Sequence, residues 1–178
     1  VSGKAAIPTT NVTVRVNQGS DDAEQNASTG AMDLTSTDLE LIYDTSNQIV
    51  GMRFQNVGVP PGATVQSAYI EFEVDETTDI NPSSLTISGQ AADNPITFTS
   101  TINDISTRAK TTASVPWVPG AWGTVDVKHQ TPDISTVVQE IVNRGGWASG
   151  NSMVFIVEGT GRRVAEAYDG EATAAPLL

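Results

Sequence analysis

Short segments of alternating polar and apolar residues, separated by turn residues, run the length of the chain. Thr13-Val14-Arg15-Val16 alternates, Leu39, Leu41 and Tyr43 alternate with Asp38 and Glu40, and Val50-Gly51-Met52-Arg53-Phe54 repeats the pattern. The longest alternation spans Thr64 to Val74. There Ala68, Ile70, Phe72 and Val74 share one face while Tyr69, Glu71, Glu73 and Asp75 share the other, the two-residue period of a half-buried strand. Leu85–Ile87, Thr124–Val127, Met153–Val157 and Arg163–Tyr168 complete a set spaced as in an antiparallel sandwich with one face dry and one wet. Pro60-Pro61-Gly62 separates two of these segments. Gly159-Thr160-Gly161 predicts a hairpin joining Met153–Glu158 to Arg163–Tyr168. No helix follows that Gly-x-Gly, so it reads as a turn and not as a phosphate cradle.

One segment changes period. Ile134, Val137, Val138, Ile141 and Val142 recur at helical spacing. Thr131-Pro132-Asp133 opens the segment with a cap residue, a first-turn proline and an acid at the positive end of the dipole, and Arg144-Gly145-Gly146 closes it. The pattern therefore predicts an all-β antiparallel jelly-roll sandwich of about eight to ten strands. One short amphipathic helix, over about residues 131–144, plugs an end. There is no internal repeat and no linker, and the polar stretches Asp21–Gly30 and Asn103–Ser114 read as loops within a single module covering residues 1–178.

Composition narrows the chemistry. Twenty-two Thr and 15 Ser reinforce strands over helices. With no Cys, thiol catalysis, disulfides and structural zinc are excluded, and a single histidine, His129, excludes a multi-histidine metal site. His129 has no evident partner and reads as a surface or cap residue, and no nucleophile elbow surrounds Ser20, Ser149 or Ser152. No apolar run approaches the length of a membrane span. The net charge of −12 repels phosphate backbones and anionic bilayers, which argues against nucleic-acid and membrane partners. High acidity and a chain opening at Val1 suit a mature secreted or cell-surface product, or a domain excised from a larger one.

The stretch Val57-Gly58-Val59-Pro60-Pro61-Gly62-Ala63-Thr64-Val65-Gln66-Ser67-Ala68-Tyr69-Ile70-Glu71-Phe72 carries a recognisable signature, "lP-x-Ga-x-I-x-s-A-x-L-x-f". Met52-Arg53-Phe54 precedes it, the 131–143 segment follows, and Arg163–Gly170 with Ala174-Ala175-Pro176-Leu177-Leu178 closes the chain. In these features the chain resembles the DNRLRE-like jelly-roll domains of secreted bacterial multidomain proteins, over nearly its whole length. The resemblance implies a non-catalytic accessory module, in some relatives a polysaccharide binder, beside neighbouring domains of a parent protein. It also implies a final strand continuing past "aPlL".

Candidate functional residues fall into three groups. Asp21, Asp22 and Glu24 place three acids in four positions after a strand, and hard oxygens at that density suit calcium. Asp169, between Tyr168 and Gly170, is the distant partner expected of a jelly-roll calcium site, the alternative being a solvated acidic turn. Asp75-Glu76, with Asp79 behind, reads as loop acids or a second cation site, because neighbours on a strand point to opposite faces and cannot form a glycosidase pair. Among ten aromatics, rings suited to stacking on sugars are Trp122 in the Pro-stiffened 115–122 loop and the strand-borne Tyr43 and Tyr69. Trp117 and Trp147 read as core, and Trp122 as either. Arg162-Arg163, at the tip of the predicted hairpin, is placed to meet an acidic sugar or simply to solubilise a turn, and Arg108 and Lys110 carry the same two readings.

Two functions remain open from sequence. One is a carbohydrate-binding module with a structural calcium. The other is a structural, adhesion or self-assembling spacer with no sugar site.

Overall fold

The computed structural model describes residues 9–178. Eight strands are present among them: β1 (Asp22–Asn26), β2 (Met32–Asp33), β3 (Asp38–Glu40), β4 (Gln48–Phe54), β5 (Glu71–Gln90), β6 (Lys110–Trp117), β7 (Lys128–Gln130) and β8 (Met153–Glu166). One helix, α1, spans Ser135–Val142. With 39% of the chain in strands and 6% in helix, and every strand pair antiparallel, the protein is an all-β sandwich. No helix is long and apolar enough to cross a membrane.

β5 and β8 form the spine. They pair from Val74 opposite Ala165 to Gly89 opposite Phe155, with register shifts midway. At one end they lie within the order β2-β1-β4-β8-β5-β6, and at the other β3 pairs with β8 and β7 with β5. Both layers thus share two bent strands, and their inner faces merge into one core. Val50, Met52, Phe54, Leu85, Ile87, Phe155 and Val157 from one end pack with Leu39, Phe72, Val74 and Ala165 from the other. A smaller core lies on the outer face, where Phe98 and Ile105 of the 91–109 segment cover Ala23, Val154 and Ile156. Gly51 makes this possible, since a Cβ there would collide with the Phe98 ring.

The expected hairpin at Gly159-Thr160-Gly161 is instead the middle of the continuous strand β8. Both glycines have positive φ, +148° and +88°. A side chain at either would strike the β5 backbone at Ser83–Leu85. They therefore let β8 bend and cross between layers against its partner, the second use of glycine in a strand. Arg162 and Arg163 accordingly occupy the strand and not a tip.

The helix is shorter than its sequence pattern. Thr131 Oγ1 accepts from Ile70 N (3.0 Å), and Asp133 Oδ1 accepts from Ala68 N (3.1 Å) and Ser135 N (2.8 Å). Residues 131–133 are held as an extended joint, and Ile134 becomes the cap. The same bonds explain why residues 64–70 join no ladder: Gln139 Oε1 on α1 also takes Val65 N at 2.8 Å. Val137 and Ile141 of α1 press on Gly89, closing one end of the core. The expected strand at 124–127 shifts to β7, with Asp126 at φ 64° turning the chain before it. Residues 13–16 contribute a bridge, Arg15 opposite Leu177, so that the 176–178 segment lies between Arg15 and Glu71.

Candidate functional site

β1 carries the acidic motif into the sandwich. Asp22 pairs with Met52 and Glu24 with Val50. Directly opposed residues share a face, so both carboxylates point the same way as core side chains. Asp22 is 4% exposed and Glu24 6%. Asp21, one residue earlier and in a short 3₁₀ turn, goes elsewhere: its Oδ2 accepts from Arg53 Nη1 (2.8 Å) and Gln55 Nε2 (2.7 Å).

The four acids expected as ligands divide into two groups. In the first, Asp22 Oδ2 accepts from Tyr168 N at 2.8 Å, while Asp22 Oδ1 and Asp21 Oδ1 are buried with no hydrogen-bond partner. Burial, aided by the nearby carboxylates of Asp169 and Asp21, pushes the Asp22 carboxyl up to about 7. Asp169 lies over Gly19, where a Cβ would occupy the place of its carboxylate. Hard oxygens, two of them orphaned, beside a third acid from the far end of the chain form a donor set that fits calcium.

In the second group Glu24 Oε1 accepts from Glu40 N at 2.7 Å, and its carboxyl meets that of Glu40. Burial first, and Glu40 second, push Glu24 up to about 10. Glu40 is itself raised by burial and by Asp38 and Asp44. These two acids form the floor of a recess described below.

A third acidic group escaped the sequence reading. Asp38, Asp75 and Glu76 bring carboxylate oxygens within 4.8 Å of one another. Strand alternation sends Asp75 and Glu76 to opposite faces, but the register of β5 against β8 shifts between Val74 and Glu76, and the bulge turns both toward Asp38. Arg162 Nη2 holds Glu76 Oε2 at 3.1 Å. Glu166, opposite Asp38 across β3 and β8, is raised to about 7 by burial and by hydrogen-bonded Asp75. The visible hint was the alternation of Asp38 and Glu40 with Leu39 and Leu41, without the pairing that says which acids they meet.

The aromatic candidates separate by burial. Trp122 lies in the core at 1% exposure. It stacks on His129 (centroids 5.2 Å, planes 12° apart) and lies 6.2 Å from Phe72 and 6.3 Å from Trp117. Trp122 N donates to Asp79 Oδ2 at 2.8 Å, which fastens its loop to β5. Trp117 and Trp147 are buried as expected. Tyr43 and Tyr69 are exposed, at 39% and 45%, on different elements.

Arg163 is also internal, at 1% exposure. Its guanidinium donates to Gly120 O (2.7 Å), Pro119 O (3.1 Å) and Asn81 Oδ1 (2.8 Å) and pairs with Asp79 at 3.4 Å. Fully engaged in pinning the Trp122 loop, it presents nothing to a ligand. Arg108 is likewise held by Asp104 and carbonyls over the Phe98 ring, and Lys110 by Glu158.

Comparison with protein-family models and with curated proteins gives no match to this chain.

Proposed function

We propose that this protein is a non-catalytic, secreted carbohydrate-binding module that binds a polysaccharide and carries a structural calcium. The observation that supports it most strongly is the meeting of Asp22, Asp21 and Asp169, where buried carboxylate oxygens lack any protein donor beside a third acid. Leaving such groups unpaired is costly, and a divalent cation relieves the cost. Asp22 and Asp169 would hold the ion, with Asp21 Oδ1 beside them. Bound there, it would tie β1 to the segment after β8 and so fix the edge of the sandwich.

Tyr43 and Tyr69 are the rings free to stack on sugar. The negative surface favours neutral or basic glycans over acidic ones. Neighbouring domains of a parent protein are the natural context for such a module, as the resemblance to DNRLRE-like domains implies. The burial of all three tryptophans favours the second reading, a structural or adhesion spacer without a sugar site. Binding to immobilised polysaccharides in calcium, with Tyr43→Ala and Tyr69→Ala as variants, separates the two. Loss of binding with an unchanged melting temperature supports the module, and no binding to any glycan supports the spacer.

A further inference from the structure

The second acidic group opens into a recess of about 360 Å³, within the size range of small-molecule sites. Its walls carry Glu24, Glu40, Asp33 and Asp44, with the amide side chains of Asn26 and Gln48, and no Lys, Arg or His among the described residues lines it. Glu40 is the telling member. It is 8% exposed, yet among the described residues its carboxylate accepts no hydrogen bond from any N–H or hydroxyl, and its polar neighbour is the Glu24 carboxyl. Two buried acids face each other at the base of a cavity, and two more stand on its walls.

A metal ion fits this recess poorly. Calcium gathers six to eight oxygens at about 2.4 Å, so its carboxylate ligands lie close together. No three acids of this recess come within 4.8 Å of one another, a condition that Asp38, Asp75 and Glu76 alone meet among the described residues. A volume on the order of ten waters would also remain around a bare ion. An organic cation fits better. Its ammonium would replace the missing donors between Glu24 and Glu40 with charge-assisted hydrogen bonds. Asn26 and Gln48 offer amides to hydroxyls, and Tyr43, next to Asp44, is an exposed ring at the turn that forms one wall.

We infer that the recess between β1, β3 and the 41–48 turn binds the protonated amine of an amino sugar, which makes polysaccharides with free 2-amino groups the ligand class. Glu40 and Glu24 take the ammonium, Asp33 and Asp44 supply the surrounding negative field, and Asn26 and Gln48 meet ring hydroxyls. The inference rests on the carbohydrate-binding reading above and adds the chemistry that selects the sugar.

Calorimetric titration in calcium buffer with a glucosamine hexamer, its fully N-acetylated counterpart and polylysine tests it. The hexamer with free amines should bind, the acetylated one should not, and Glu40→Gln should weaken binding by about tenfold or more, the value of a hydrogen bond to a charged group. Asp44→Asn, at the rim, keeps the test intact if Glu40→Gln fails to fold, and should weaken binding in the same direction. Equal binding of both hexamers overturns the amine inference and leaves the carbohydrate reading standing. Binding of polylysine without binding of either hexamer overturns it in favour of a protein partner. Binding of neither hexamer nor polylysine overturns the inference, and silence across neutral glycans as well removes the carbohydrate reading.

Discussion

Removing calcium should make this protein respond to pH in the opposite sense from one whose carboxylates are paired with bases. Asp22 and Glu24 sit at about 7 and about 10 in the folded chain, against ordinary values of 3.8 and 4.5. Between those limits the folded state holds protons that the unfolded state has released. Stability therefore falls as pH rises, with a ceiling of roughly 1.4 kcal/mol per pH unit for each group. Both groups contribute between about pH 5 and 7, and Glu24 alone continues above that. Relaxation and water entry reduce the ceiling, leaving about 2–4 kcal/mol over the window for two groups at 4% and 6% exposure. For a chain of this size, that is roughly 5–15 °C in melting temperature. Calcium should act against the trend, because an ion on Asp22 keeps it ionised, and a hundredfold excess over Kd contributes about 2.7 kcal/mol. Calorimetric melts across this range, with chelator and with calcium, measure both effects. Chelated protein should melt lower at about pH 7 than at pH 5, calcium should recover the difference, and Asp22→Asn should flatten both responses. A melting temperature that is level or rises with pH in chelator, and is indifferent to calcium, would refute the burial argument for these acids.

Arg163→Ala should destabilise by about 3–5 kcal/mol, because it leaves buried Asp79 without its cation, and the freed loop should shift Trp emission to the red. Trp122→Ala should cost a similar amount through the cavity it opens, visible in denaturant melts, so any loss of binding in that variant reflects unfolding. Tyr69→Ala and Tyr43→Ala should change stability by no more than about 0.5 kcal/mol while weakening glycan binding by about 1 kcal/mol or more each, read by titration. Product release from common polysaccharides should be undetectable by reducing-end assay, and turnover abolished by Glu166→Gln would contradict that.

The strands whose alternation meets one wet and one dry face, β4 and the start of β5, were legible in the sequence, as was the apolar stripe of α1. Other features depended on distant partners. Residues 64–70 alternate as a strand does, but their N–H groups are taken by Thr131, Asp133 and Gln139 side chains. Gly159 and Gly161 carry ordinary turn chemistry, and only the closeness of Ser83 and Ser84 reveals them as the bend of a strand. The acids of β1 were visible as a motif. Their burial was not, since it depends on Met52 and Val50 lying opposite. Composition alone suggested a solvated loop. Asp75 and Glu76 met Asp38 through a bulge, which local alternation cannot anticipate.

The central claim is glycan recognition that depends on a calcium-bound fold, and a glycan array read in calcium and again in chelator tests it most directly. The account predicts retention on a narrow set of neutral or amine-bearing polysaccharides, weakened by chelator and lost in the Tyr43→Ala, Tyr69→Ala double variant. Retention on no glycan by folded, calcium-loaded protein would contradict it.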